Sequence, residues 1–166
     1  MTNTIVFDKE KFKAVSEAVA KLNGEQKNQF VMIDFRVVTD WHKLAFEADE
    51  KANLNLINLA FRVYAYLFAK RQNTTGQTVD EVRQKGMFVE FNQSAYMKIK
   101  TIADDLGYKK PDNILPALKL LSKMNLLICL QYKSGRYSKY AFFVLNTPNY
   151  ILCHNFNSEF RKMPKK

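Results

Sequence analysis

The run LNLINLAFRVYAYLFAK at residues 54–70 constrains this chain more than any other feature. Leu56, Leu59, Ala60, Val63, Tyr64 and Leu67 recur at helical spacing, and Phe61, Ala65 and Phe68 widen the apolar arc. No glycine or proline interrupts it, and Lys70 and Arg71 supply the positive end that a helix C-terminus favours. A helix apolar around most of its circumference has to be wrapped by other elements. With 166 residues, 47% of them hydrophobic, the chain is long enough to wrap it within one domain or one domain and a small satellite. Only 5 glycines and 4 prolines are present, which excludes a collagen-like or Pro/Gly-rich disordered chain.

Around this helix the pattern alternates between short helices and strands. Asp8 is placed to cap a helix running to about Leu22, with Phe12, Val15, Val19 and Leu22 as its stripe and Gly24 as its stop. Residues 29–39, QFVMIDFRVVT, are β-branched and aromatic and predict a strand. Asp40 is expected to cap a short helix holding Trp41, Leu44 and Phe46. Residues 72–86 are polar and predict a loop with about one helical turn, and 87–99 predict extended chain.

The next fifty residues carry a recognisable order. Thr101 and Asp104 match a capping box, Ile102, Ala103 and Leu106 form an apolar face, and Gly107 is a C-terminal stop. Lys109-Lys110-Pro111-Asp112-Asn113 is a polar turn, with Asn113 read as the next cap and Pro116 at the third helical position. Ile114, Ala117, Leu118, Leu121 and Met124 then face inward, while Lys119 and Lys123 share the outer face with part of Ser122. Residues 126–133 and 137–145 predict two strands joined at Ser134-Gly135-Arg136. A strand, a helix-turn-helix and a hairpin in this order predict an α+β fold: a winged helix-turn-helix over residues 51–147. An N-terminal α/β extension of residues 1–50 precedes it, and a tail of residues 148–166 follows.

Three stretches resemble the N-terminal winged-helix domain of bacterial plasmid and phage replication initiators. They are LINLAFRVYAYLFAKR, the extended segment before KTIADDLGY, and NILPALKLLSKMNLLICLQYKSGRYSKYAFFVLN. The resemblance spans about residues 54–147. Met124-Asn125-Leu126-Leu127-Ile128 corresponds to the family's hydrophobic leader, with Asn125 standing where glycine is ordinary. Asparagine tolerates the same left-handed backbone. The resemblance implies dimers that bind repeated DNA sites.

Charge points in the same direction. Residues 1–50 hold 7 basic and 9 acidic side chains, whereas residues 51–166 hold 19 basic and 7 acidic. A basic body calls for an anionic partner, nucleic acid first. The expected DNA-binding residues are Lys109, Lys110, Asn113, Lys119, Ser122 and Lys123 on the helix pair, and Lys133, Arg136 and Lys139 on the wing. Asn113 is lost to base reading if it caps the helix. Winged-helix transcription regulators share nearly all of this pattern, and a non-catalytic module contacting host replication or transcription proteins would use the same basic face.

Catalytic chemistry finds little support. Phosphate-loop motifs are absent, Asp104 and Asp105 are adjacent and so diverge on a helix, and His42 and His154 are far apart. Cys129 and Cys153 have no metal-ligand spacing. The chain is therefore expected to be no enzyme and to need no metal or cofactor. A charged N-terminus and the lack of a long apolar run predict a cytoplasmic protein without a membrane partner. The stripe of the first helix and the two partly apolar faces of the predicted 29–39 strand exceed what a winged helix needs. A twofold homodimer is the expected use of that surplus, with folding back onto the same chain as the competing one.

Overall fold

The computed structural model describes residues 5–6, 8–23, 33, 35–72, 77–86, 89–134 and 137–156. In chain order they form β1 (Ile5–Val6), α1 (Lys9–Asn23), α2 (Phe35–Thr39), α3 (Trp41–Ala48), α4 (Leu54–Lys70) and α5 (Val79–Gln84). There follow β2 (Ser94–Met97), α6 (Ile99–Asp105), α7 (Leu115–Lys123), β3 (Leu127–Ser134), β4 (Tyr137–Val144) and α8 (Tyr150–Phe156). Single 3₁₀ turns stand at Val89–Phe91 and Pro111–Asn113. This is a mixed α+β fold whose antiparallel sheet has the order β1-β3-β4-β2.

The sheet is apolar on both faces, because β3 and β4 are near-continuous apolar runs rather than alternating ones. Leu127, Cys129, Tyr140, Phe142 and Val144 face one way, into a core built from α3, α4 and α7. Ile128, Leu130, Ala141 and Phe143 face the other way, against Phe12, Val15 and Val19 of α1 and Cys153 of α8. Both cysteines are buried thiols outside any disulfide.

As expected, α4 is the central helix of the first core, with Ile57, Ala60, Val63, Tyr64, Leu67 and Phe68 buried. Its arc is narrower than the sequence pattern implies, since Phe61 and Ala65 are exposed. Tyr64 donates its hydroxyl to the Leu145 carbonyl at 2.6 Å. Burial raises that hydroxyl's pKa well above the usual tyrosine range, so it serves as a neutral donor.

Helix α1 begins as expected: Asp8 Oδ1 accepts the Lys11 N–H at 3.1 Å. Its stripe, however, is spent within the chain, with Val15 and Val19 0% exposed. The part of the surplus apolar surface that α1 carries is thus internal cover for the second face of the sheet. The predicted strand at 29–39 is also corrected. Phe35–Thr39 is helix α2, and the Asp40 N–H bonds to the Arg36 carbonyl at 2.8 Å. Most of 29–34 lies outside the described residues. Val37 of α2 is buried in the same core as Trp41 of α3, and tertiary packing of this kind overrides the β propensity of the valines.

Several local expectations shift by a few residues. The Asp40 side chain makes no cap bond to α3. Helix α6 starts at Ile99, so Thr101 lies inside its first turn rather than at a capping box, and Asp104 pairs with Lys100 at 3.7 Å. Asn113 belongs to the 3₁₀ turn, the residue preceding α7 is Ile114, and Pro116 is the second helical residue. Of residues 87–99, only 94–97 form a strand. The expected C-terminal tail contains α8, tied down by the Asn149 N–H to the Asn125 carbonyl at 2.9 Å.

Two left-handed residues shape the chain as the sequence suggests. Asn125 has φ 61°, and Gly107 has φ 87°. At Gly107 the Tyr108 N–H reaches the Ala103 carbonyl at 2.8 Å and the Gly107 N–H reaches Asp104 at 3.2 Å, the paired bonds of a Schellman stop. A Cβ there meets nothing within 4 Å. Gly107→Ala is therefore expected to cost backbone strain alone, about 1–2 kcal/mol in urea unfolding. A neutral result would show that the stop is not needed.

Candidate nucleic-acid interface

The unit that carries the candidate residues is built by α6, the 3₁₀ turn and α7. Ile102 and Ala103 anchor α6 in the first core. From the outside, Tyr66 of α4 donates to Asp105, and Arg62 reaches the Leu106 carbonyl at 3.4 Å. Burial, then the Asp105 carboxylate, raise the Tyr66 hydroxyl's pKa, which keeps it a donor. These contacts fix α6 against α4 and so set where the following turn emerges.

Helix α7 is enclosed on most of its circumference. Ile114, Ala117, Leu118, Leu121 and Met124 are buried as expected, and Leu120 joins them. What remains outward is about one residue per turn: Asn113, Pro116, Lys119 and Lys123. Ser122 is a correction. It is 0% exposed, because it lies one turn beyond Leu118 on the arc that meets the core. It cannot reach DNA.

The remaining candidates divide. Lys109, Lys110 and Asn113 are exposed, and Lys119 is half-buried. Lys123, at the end of α7, holds Asp49 of the α3–α4 corner at 3.3 Å. The Lys51 backbone N–H holds the Asp49 carboxyl below the usual carboxylate range; burial opposes it, and the Lys123 ammonium adds to the lowering. On the hairpin, alternation places Lys139 with Ala141 and Phe143, on the α1 side of the sheet, away from α7. The side chain of Lys133 lies outside the described residues, as does Arg136; the Lys133 backbone pairs with Ser138 and Val6.

The tyrosines considered as base-stacking groups are largely structural where described. Tyr96 stacks on Phe91 with centroids 5.0 Å apart, Tyr140 is buried beside Phe142, and Tyr108 packs on the first core. Tyr132 and Tyr137 have side chains outside the described residues. Burial pushes the Cys129 thiol's pKa up, which leaves it inert as a nucleophile. Among the described residues no group of three His, Cys, Asp or Glu side chains could hold a metal. No described helix is long and apolar enough to cross a membrane.

Sequence reasoning missed Asp49, Arg62 and Tyr66. Each acts on a residue at least 39 positions away, so no local spacing marks it. Comparison of the chain with models of protein families, with curated proteins and with solved structures finds no match.

Proposed function

We propose that this protein binds double-stranded DNA as a winged helix and serves as a plasmid or phage replication initiator. In this reading α7 enters the major groove, the α6–α7 turn meets phosphates, and the β3–β4 hairpin is the wing. The observation that carries it is the element order β2–α6–α7–β3–β4, with β2 beside β4, joined to exposed Lys109 and Lys110 in the turn. That is a helix-turn-helix followed by a hairpin, with cations where a backbone contact falls.

The narrow outward arc limits what the helix can read. Pro116 offers no hydrogen bond, which leaves Asn113 and Lys119 for base edges. Specificity then rests largely on DNA shape and backbone fit. Because Lys139 lies on the α1 side of the sheet, it contributes less than the turn lysines.

The test is fluorescence anisotropy of a labelled duplex across a salt series. Lys109→Ala with Lys110→Ala is expected to weaken binding similarly on unrelated sequences. The log–log salt slope should fall by roughly 0.9 for each lysine that neutralises a phosphate. Binding that ignores salt, or ignores the double substitution, refutes the interface. An initiator recovers fragments of its own replication origin from a pool of genomic duplexes, whereas a regulator recovers promoters.

A further inference from the structure

We propose that Asp49 is an internal competitor for Lys123, an affinity-setting residue that occupies one cation of the α7 face as a DNA phosphate does. This rests on the DNA-binding reading and adds a residue that no part of that reading requires. The carboxylate is held while the ammonium is free to move. Asp49 closes α3, its N–H bonded to the Ala45 carbonyl at 2.9 Å and its Oδ1 accepting the Lys51 N–H at 3.0 Å. Its own carbonyl accepts the Ala52 N–H at 3.1 Å. Helix α3 is in turn pinned by Trp41, which is buried and donates its indole N–H to the Ile57 carbonyl at 3.0 Å. Lys123 reaches Asp49 on a four-carbon stem from the last residue of α7, and 52% of its side chain remains exposed.

A phosphate approaching the C-terminal end of α7 meets Asp49 as a rival for the Lys123 ammonium. While the carboxylate stays beside it, the ammonium neutralises the phosphate less completely and less of the DNA's counterion atmosphere is released. The pair thus lowers both the affinity and the salt slope while leaving the fold intact. An exposed pair of this kind is weak enough to be exchanged.

The experiment measures anisotropy of a mixed-sequence duplex with the full chain as wild type, Asp49→Asn, Lys123→Ala, the double variant and Glu17→Gln. Asparagine keeps an oxygen for the Lys51 N–H. Glu17 is exposed on α1, across the sheet from α7, and its replacement removes the same charge elsewhere. Asp49→Asn is expected to bind about two- to fivefold tighter, with a salt slope steeper by up to about 0.9. That gain should vanish in the Lys123→Ala background, and Glu17→Gln should bind as wild type. Unchanged affinity of Asp49→Asn, a gain that persists without Lys123, or an equal gain from Glu17→Gln overturns the proposal and leaves the DNA-binding reading standing. Absence of binding by every variant at low salt overturns both.

Discussion

Phe12→Ala is expected to remove about 3–5 kcal/mol of stability, and to do so independently of protein concentration. Phe12 is 2% exposed. Its ring meets Phe91 edge-on at 5.4 Å and Phe143 at 6.3 Å, so truncation leaves a cavity between α1 and the sheet and removes two aromatic contacts. Urea unfolding at two protein concentrations about fiftyfold apart separates the two uses of α1. An intramolecular cover gives the same midpoint at both, because no association is coupled to folding. A midpoint that rises with concentration, or a loss below about 1 kcal/mol, would show that α1 is an interface element and that its burial against β4 is dispensable.

Asn23→Leu is expected to be nearly as damaging, at about 2–5 kcal/mol, for a different reason. The buried Asn23 amide donates to the Val144 carbonyl at 2.9 Å, and its oxygen accepts the Asn146 N–H at 2.8 Å. It clamps the end of α1 onto the strand end of β4, just where the chain turns toward α8. Leucine has similar bulk and neither hydrogen bond, so the buried Val144 carbonyl and the part-buried Asn146 N–H both lose this partner. Asn23→Asp keeps the acceptor for Asn146 but turns a carboxylate oxygen toward the Val144 carbonyl and buries a charge, so it should be at least as damaging as leucine. Phe12 and Asn23 stand three turns apart on α1, one against Phe91 and Phe143 and the other on Val144 and Asn146, so the effects of the two substitutions should add. If Asn23→Leu unfolds at the same urea concentration as wild type, the clamp carries no stability. Strong coupling between the two sites would mean that α1 docks as one rigid unit.

Much of the fold was legible because it depends on near neighbours. The span of α4 follows from an uninterrupted apolar helix pattern over residues 54–70; its cap, Asn53, whose Oδ1 accepts the Leu56 N–H at 2.8 Å, was not read from the sequence. The stop at Gly107 and the left-handed Asn125 follow from backbone sterics, which are local by nature. The inward residues of α7 follow from periodicity. Periodicity also placed Lys119 and Lys123 outward, but it misassigned Ser122, because a small polar side chain gives no sign of which side of an arc is covered.

Elsewhere a local pattern fitted two structures. Phe35-Arg36-Val37-Val38-Thr39 has the composition of a strand, and five residues are too few to separate a period of 2 from one of 3.6. The structure makes it the short helix α2, which buries Val37 in the same core as Trp41 of α3 and leaves Arg36, Val38 and Thr39 exposed. Thr101 and Asp104 matched a capping box by spacing, but α6 starts three residues earlier, directly after β2, with Lys98 at the cap position.

The sequence by itself determined that the hairpin strands needed cover on both faces. LLICL and YAFFVL leave no polar side of the sheet for water. It also determined that the basic charge would fall outside the N-terminal 50 residues. Only the tertiary structure decided which segments supply the cover, α1 and α8 on one face and α4 with α7 on the other. It alone paired Lys123 with Asp49 and turned Lys139 toward α1. Apolar burial is non-directional and sets how much surface must be hidden, whereas a contact across 74 residues depends on how whole elements stack.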